Sequence, residues 1–100
     1  DRLDRKPTLV VPEGMTAIQQ IAICTGGAQG YLNLAADLGV DAYLSGEISE
    51  RTPHEARELG VAYIAAGHHA TERYGVQALG QRLTTEFALE VAFFDEDNPA

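Results

Sequence analysis

Residues 61–83 read VAYIAAGHHATERYGVQALGQRL, an apolar run that ends at a glycine and passes into a helical pattern. The first six residues are continuously apolar, which is typical of a strand that a sheet buries on both faces. After Gly67 the pattern predicts the longest helix of the chain, from about residue 69 to residue 86. The predicted buried stripe of this helix consists of Val76, Leu79 and Leu83.

The same alternation extends in both directions along the chain. Apolar runs predict further strands at residues 18–24, 42–44 and 89–94, and residues 8–11 form a short β-prone run. Helical spacing predicts one helix with a stripe of Tyr31, Leu34, Ala35 and Leu38. Another helix is predicted from about Thr52, with Pro53 in its first turn and Ala56 and Leu59 facing inward. We therefore predict an α/β fold with a mainly parallel sheet flanked by helices, in the order β-α-β-α-β-α-β.

A chain of 100 residues is long enough for one domain and too short for two. We expect residues 1–100 to form a single α/β domain whose ends, residues 1–7 and 95–100, are frayed. The sequence starts at Asp1 and its one methionine, Met15, is internal. We therefore expect a processed piece or a fragment of a longer protein.

Composition excludes several classes of function. The chain has 15 acidic and 7 basic side chains and a formal net charge of −8, which disfavours contact with a phosphate backbone or an anionic membrane. No apolar run approaches the ~20 residues that a membrane helix needs. The single cysteine, Cys24, has no partner in the chain for a disulfide, so we expect a reducing compartment and a cytoplasmic location.

Three glycine-bearing loops follow predicted strands, at residues 24–30, 45–47 and 67–72. Ligands of open α/β sheets bind outside the carboxyl ends of the strands. Because parallel strands bring these ends to one edge, we expect the three loops to converge on a site.

The third loop contains a histidine and a glutamate at helical spacing. Glu72 lies four residues before Val76 on the predicted inward stripe, and His68 lies four residues before Glu72. One interpretation is a carboxylate that stabilises a helix N-terminus. The other is a metal ion that His68 and Glu72 share, since side chains at i and i+4 lie on one helix face.

Four other residues are candidates, and three of them have two interpretations each. Glu47 is either an acceptor behind a ligand histidine or an acid in the first turn of the next helix. His54 is either a solvated histidine or a group that faces a substrate, and His69 is accessory to His68. Cys24 is either a small buried hydrophobe or a nucleophile with its pKa lowered near a helix N-terminus.

The sequence closely resembles the carboxyl-terminal half of the Nif-three-like dinuclear metal-centre proteins, which are also named homologues of type 2 GTP cyclohydrolase I. Three stretches carry the resemblance, in order and at matching spacing: CTGG at residues 24–27, GVDAYLSGE at 39–47 and AGHHATER at 66–73. It covers nearly the whole chain and is nearest to the short bacterial members.

The resemblance implies a two-lobed fold with two divalent metal ions between its α/β halves. His68 and Glu72 match metal ligands of the family, while a His-His pair and an aspartate come from the amino-terminal half. The metal remains open among Zn, Fe, Mn and Mg. The resemblance also implies a homohexamer, a small-molecule substrate of the nucleotide class and, from the cyclohydrolase name, opening of a purine ring.

Three functional hypotheses follow. The first is a metal-dependent hydrolase in which this chain partners the amino-terminal half of the same protein, with His68 and Glu72 as ligands and Glu47 and His54 as candidate catalytic groups. The second is a non-enzymatic metal-binding or oligomeric scaffold protein. The third is an enzyme that depends on Cys24.

We expect no useful affinity for duplex DNA at physiological salt, because the basic residues form no stripe. Arg51, Arg57, Arg73 and Arg82 are interleaved with acidic residues. Fluorescence anisotropy with a labelled duplex is the measurement. Sub-micromolar binding that weakens as salt rises would contradict this expectation.

Overall fold

The computed structural model describes residues 3–99. Four strands and three α-helices alternate along most of this range, with one short 3-10 turn at Gln29–Tyr31. The strands are β1 (Thr8–Val10), β2 (Ile21–Cys24), β3 (Ala42–Ser45) and β4 (Ala62–Ala65). The helices are α1 (Leu32–Asp37), α2 (Thr52–Leu59) and α3 (His68–Phe87). No helix in residues 3–99 is long and apolar enough to cross a membrane.

The sheet has the order β1-β4-β3-β2. Strands β2, β3 and β4 are parallel to one another, and β1 pairs antiparallel with β4. This arrangement confirms the predicted α/β fold with its mainly parallel sheet. Because the three parallel strands share one direction, the loops that follow them meet at a single edge.

The predicted strand at residues 89–94 is not present in the structure. The segment follows α3, a helix of 20 residues that is about 30 Å long, and it runs back along that helix instead of joining the sheet. Val91 lies so close to Gly80 that a Cβ on Gly80 would be 2.8 Å from Val91 Cγ1. The antiparallel edge of the sheet is β1, from the β-prone run near the start of the chain.

The predicted buried stripe of α1 is wrong at three of its four positions. The helix buries Leu32 and Ala35, whereas Tyr31, Leu34 and Leu38 are exposed, Leu38 by 71 %. A helix of six residues makes fewer than two turns, so its sequence does not fix which face is buried.

Helix α2 begins at Thr52 as predicted, with Pro53 in its first turn and Ala56 fully buried. Leu59, which was predicted to face inward, is exposed because it is the last residue of the helix. The helix thus uses one small residue, Ala56, for its closest contact with the core.

The predicted stripe of α3 is also wrong. Val76 is 59 % exposed, Leu79 is exposed to a similar degree and Leu83 is half-buried. The helix buries Ala70 and Thr71 near its start, and farther along only Gly80. The physical reason is that only the first turns of α3 lie near the sheet, and its later turns meet only the C-terminal segment, which packs on Gly80.

Two tyrosines form the centre of the core. The rings of Tyr43 and Tyr63 meet edge to face with centroids 5.7 Å apart, and both side chains are fully buried. The Tyr43 hydroxyl donates to the carbonyl of Ala28 at 2.7 Å, and the Tyr63 hydroxyl donates to the carbonyl of Glu47 at 2.6 Å. Each tyrosine thereby fixes a loop at the carboxyl edge of the sheet.

Both ends contact the rest of the molecule within the described range. Arg5 donates to the carbonyl of Pro99 at 3.2 Å, and Asp95 forms ion pairs with His69 and Arg73, each at 3.0 Å. The expected fraying of residues 1–7 and 95–100 stays a prediction, and residues 1, 2 and 100 of these ends lie outside the described residues.

Asp41 joins β2 to β3 at the amino end of the sheet. Its Oδ2 accepts the backbone N–H groups of Gln19 at 2.8 Å and of Gln20 at 2.9 Å. The bonds from Gln20 and then Gln19 hold the pKa of Asp41 below its usual value. The charged carboxylate is therefore the form that ties the two strands together.

Asp41→Asn should lower the Tm at neutral pH by several degrees, about 4–8 °C, because a neutral amide accepts these bonds more weakly. The folded pKa of Asp41 lies below the unfolded one, so its stabilisation is present above the unfolded pKa and is lost as pH falls through the folded pKa. Thermal unfolding followed by circular dichroism from pH 7 to pH 2 should show the two melting temperatures converging below about pH 4.

The exposed Asp37 of α1 provides the control, and Asp37→Asn should leave the Tm nearly unchanged. A Tm difference for Asp41→Asn that stays constant down to pH 2 would contradict the role of its charge.

Candidate metal centre

The three loops after β2, β3 and β4 converge at the carboxyl edge of the sheet, as their positions predicted. The N–H of Gly46 donates to the carbonyl of Gly26 at 2.9 Å, and the N–H of Gly67 donates to the carbonyl of Gly46 at 2.8 Å. These two bonds continue the sheet pairing beyond the strands. They bring the first residues of α3 beside the loop that follows β2.

Gly46 lies where no side chain fits. A Cβ at this position would be 2.6 Å from the Gly26 carbonyl oxygen and 2.7 Å from the Cα of His68. Contacts of this length are shorter than carbon atoms tolerate, so only glycine allows the loops to approach this closely. Gly46 thus sets the distance between the loop after β2 and the start of α3.

Thr71 connects α3 to the loop after β2. The N–H of Gly26 donates to Thr71 Oγ1 at 3.2 Å, while the Thr71 hydroxyl donates to the Gly67 carbonyl at 2.8 Å. Thr71 is buried. Thr71 was given no role from the sequence, although a threonine between a histidine and a glutamate where a loop enters a helix is a residue type that bonds to nearby backbone groups.

His68 lies between two carboxylates. Its Nδ1 is 2.6 Å from Oε1 of Glu47, and its Nε2 is 3.1 Å from Oε2 of Glu72. Gln29 Nε2 donates to the other oxygen of Glu47 at 3.2 Å. Glu47 lies outside α2, so the geometry matches an acceptor behind a histidine better than an acid in the first turn of the next helix.

The carboxylates alter the protonation of this cluster. The hydrogen bond to Glu47 raises the pKa of His68, with smaller contributions from the charges of Glu72 and Glu47 and an opposing one from partial burial. The hydrogen bond from His68, followed by the one from Gln29, lowers the pKa of Glu47. Without a metal ion, these contacts favour the charged ring, which donates Nδ1–H to Glu47 and Nε2–H to Glu72.

The pair fits a bound metal ion. When His68 Nδ1 donates to Glu47, Nε2 of the neutral ring carries a lone pair, and it faces a carboxylate oxygen that is also an acceptor. Two such atoms attract a cation between them. Ligands about 2.0–2.1 Å from one tetrahedral zinc ion lie about 3.3–3.4 Å from each other. The observed separation of 3.1 Å is the length of a hydrogen bond and needs only a small movement to admit a metal ion.

Gly26 keeps the space beside this pair open. A Cβ on Gly26 would collide with Oε1 of Glu72 and lie 3.2 Å from Nε2 of His68. The backbone of Gly26 also has a φ of +68°, which side-chain-bearing residues rarely adopt. Gly26 is therefore needed both for the left-handed backbone of the turn and for the space that the side chains of His68 and Glu72 occupy.

The remainder of a complete metal site is absent from residues 3–99. No group of three or more histidine, cysteine, aspartate or glutamate side chains in that range could hold a metal ion. His68 and Glu72 supply two ligands, while metal centres of this type use three or four. Their role as metal ligands stays a prediction.

The other histidine candidates lie apart from the pair. His69 contacts Asp95 at 3.0 Å and so joins α3 to the C-terminal segment. His54 lies on the exposed face of α2, beside Ser49 and Glu50. Among the hydrogen bonds and ion pairs of residues 3–99, none links His54 to Glu47, His68 or Glu72.

Cys24 lies at the end of β2 and is exposed, so it is not the buried hydrophobe of one interpretation. Burial, followed by the interaction with the Cys24 side chain, raises the pKa of Tyr43 to about 12. The described part of the chain shows no hydrogen bond between Cys24 and a histidine. The Cys24 hypothesis therefore gains no general base from the structure.

A cleft of about 440 Å³ opens beside the pair. Val76, Phe93 and Phe94 form its apolar side, and the remaining lining residues are polar: His68, His69, Glu72, Arg73, Asp95 and Asn98. The volume lies in the range of small-molecule sites, with more polar groups than most of them have.

The match to a family model extends over residues 1–99 and is described as Duf34/NIF3 (NGG1p interacting factor 3). The chain belongs to the Duf34/NIF3 family. It is 60 % identical over 95 residues to the GTP cyclohydrolase 1 type 2 homolog of Allochromatium vinosum, covering 95 % of this chain and 37 % of that protein. It is also 60 % identical over 100 residues to the protein of the same name from Pseudomonas aeruginosa, covering all of this chain and 39 % of the relative.

Solved structures agree with this assignment. The chain superposes on the structure called protein ybgI, of unknown function, with a TM-score of 0.93 and 49 % identity, covering 99 % of this chain and 40 % of that one. Protein TTHA1606 of Thermus thermophilus gives a TM-score of 0.87 at 27 % identity, covering 99 % and 39 %. The chain thus spans about two-fifths of the length of the curated relatives and structures that it matches.

Gly26→Ala should disturb the His68–Glu72 pair, because the new Cβ occupies the space of Glu72 Oε1. The matched control is Gly14→Ala, since Gly14 has a φ of +79° and nothing within 4 Å of an added Cβ. Both variants carry the cost of a left-handed backbone, about 1–2 kcal/mol. Only Gly26→Ala should lower the Tm further and shift the imidazole resonances of His68 in NMR spectra.

Equal Tm losses in the two variants, with unchanged His68 resonances, would contradict the close contact between Gly26 and the pair.

Proposed function

We propose that this Duf34/NIF3 chain forms the carboxyl-terminal half of a dinuclear metal centre in a metal-dependent hydrolase. His68 and Glu72 are its contribution to the ligands. The observation that carries the proposal is the geometry of His68, with Nδ1 bonded to Glu47 and Nε2 3.1 Å from the Glu72 carboxylate.

Each residue of the cluster has a separate task. Glu47 accepts the Nδ1 proton of His68, fixes the ring and increases the electron density on Nε2. Tyr63 holds the backbone of Glu47 through its carbonyl, and Gln29 holds its second carboxylate oxygen. Glu72 provides the anionic oxygen opposite Nε2. Glu47 is therefore a positioning residue for His68.

When bound, two divalent ions supply an activated water and polarise the substrate. Imidazole nitrogen and carboxylate oxygen suit Zn, Fe and Mn, while Mg favours oxygen alone. The remaining ligands belong to the rest of the longer protein, in line with the two-fifths coverage of the relatives. The amino-terminal half of the same protein is therefore the partner that completes the site in this proposal.

The substrate in this proposal is a small molecule of the nucleotide class. The relatives' name, GTP cyclohydrolase 1 type 2 homolog, supports it, and so does a cleft of about 440 Å³ with two phenylalanines beside the ligand pair. Opening of a purine ring is the reaction that this name suggests. The position of His54 on the outer face of α2 gives no support to its role as a catalytic group.

The second candidate function is a metal-binding scaffold without turnover. It is favoured by two exposed apolar residues, Leu34 in α1 and Leu38 directly after it, which suit contacts between subunits of a homohexamer. A cytoplasmic location is compatible with either function. Assay of the metal-loaded, full-length protein with GTP and related nucleotides separates the two, because only the hydrolase releases ring-opened or hydrolysed product.

In the full-length protein, His68→Ala and Glu72→Gln should each reduce metal affinity by about 10–100-fold or more, since even outer residues of metal sites have effects of this size. Both side chains are at least a third exposed, so the fold should survive. Emission spectroscopy measures metal content, and circular dichroism checks the fold.

The controls are His54→Ala and Glu58→Gln, which change the same residue types on α2 away from the pair. Both should retain full metal content. Unchanged stoichiometry in His68→Ala and Glu72→Gln would mean that Glu72 merely stabilises the start of α3.

A further inference from the structure

Two phenylalanines lie on the wall of the cleft that contains the predicted metal ligands. The cleft of about 440 Å³ is lined by His68 and Glu72 and also by Phe93 and Phe94. Phe93 is 43 % exposed, whereas Phe94 is 88 % exposed and is the most exposed of the large apolar side chains in residues 3–99. Most of the Phe94 ring is therefore free to contact a ligand.

The segment that carries these rings is held in place on both sides of them. Before the rings, Val91 packs so closely on Gly80 of α3 that a Cβ on Gly80 would be 2.8 Å from Val91 Cγ1. After the rings, Asp95 forms ion pairs with His69 and Arg73, each at 3.0 Å. The segment forms neither helix nor strand, so these contacts are what position the phenylalanines beside the cleft.

The place of Phe94 distinguishes it from an ordinary exposed apolar residue. Single apolar side chains on a convex surface are common and need no explanation. Phe94 instead lies in a concave cleft, together with the apolar side chains of Val76 and Phe93 and next to the His68–Glu72 pair. An aromatic side chain at such a place is the usual means of binding the apolar part of a small ligand.

The charges of the cleft favour an uncharged ring as the group that contacts Phe94. Arg73 is the one arginine of the lining, and Asp95 already pairs with it at 3.0 Å. Glu72 adds a second carboxylate to the lining, so a phosphate group at this place would meet like charge. A flat heteroaromatic ring suits the cleft better, because its faces are apolar and its edges carry polar groups.

We propose that Phe94 is the residue that stacks on the purine ring of the substrate. The inference rests on the proposed function, from which the nucleotide class of the substrate is taken, and it adds the residue that recognises the ring. Aromatic side chains bind bases through their faces in this way. Because Phe94 shares its cleft with His68 and Glu72, a ring stacked on it is brought to the metal centre.

Binding of guanosine to the full-length protein, loaded with zinc, tests this inference by isothermal titration calorimetry. Guanosine carries the purine ring without a phosphate, and ribose 5-phosphate is the matching ligand without the ring. Phe94→Ala removes the aromatic side chain, and Phe94→Tyr keeps it. The control is Phe87→Ala, because Phe87 is 65 % exposed at the end of α3 and does not line the cleft.

Phe94→Ala should weaken guanosine binding by about ten-fold, since stacking on one aromatic side chain contributes this much to the affinity for a base. Phe94→Tyr and Phe87→Ala should bind guanosine as the wild type does. Any binding of ribose 5-phosphate should be the same in all four proteins. Emission spectroscopy should find equal metal content in them, and circular dichroism should find equal Tm values.

The outcomes separate the stacking role from the proposed function. Unchanged guanosine affinity in Phe94→Ala would overturn the stacking role, and so would a wild type that binds no guanosine, whatever metal either protein holds. Equal losses for guanosine and ribose 5-phosphate would indicate a general distortion and would also overturn it. A wild type that holds no metal but binds guanosine through Phe94 would overturn the metal-dependent hydrolase and support the stacking role.

Discussion

Three backbone loops at the carboxyl edge of the sheet approach so closely that glycine is required between them. Gly46 lies against the Gly26 carbonyl on one side and the Cα of His68 on the other, and backbone hydrogen bonds join Gly26, Gly46 and Gly67 in sequence. The position of His68 follows from this contact. A larger residue at position 46 would separate the start of α3 from the loop after β2, and with it the histidine from Glu47.

The tyrosine pair connects the loops at the carboxyl edge of the sheet to the hydrophobic core. Tyr43 and Tyr63 are large enough to span the space between sheet and helices, and each has a hydroxyl that must find an acceptor when buried. Their acceptors are the Ala28 and Glu47 carbonyls. Stability and site geometry therefore depend on the same two side chains, because the core residue that fills the volume also holds the loop that presents Glu47.

The features that could be predicted best from the sequence are those that depend on a local pattern of apolar residues and glycines. Continuous apolar runs located the three parallel strands, and glycines after them located the converging loops. The buried faces of α1 and α3 were not predictable, because α1 is too short to show a period and the later turns of α3 leave the sheet and meet only the C-terminal segment at Gly80. The alternation at residues 89–94 indicated a strand, but strand formation needs a free edge within reach, and α3 carries that segment away from the sheet.

Within the site, the proximity of His68 and Glu72 could be predicted because residues four apart lie on one face of a helix. The hydrogen bond between Gly26 and Thr71 spans 45 residues, and the contact between Glu47 and His68 spans 21, so no local pattern contains them. The two interpretations of Glu47 could be separated only by knowing which loops meet.

The pairing of β1 with β4 affects the order in which the sheet forms during synthesis of the chain. Each residue of β1 meets a partner more than fifty positions later in the sequence. On the ribosome, β1 emerges first and has no partner until β4 has been synthesised, while β2 and β3 can already associate. The antiparallel edge is thus the last part of the sheet to form. Until β1 has paired with β4, the growing sheet has an open edge that can pair with another nascent chain.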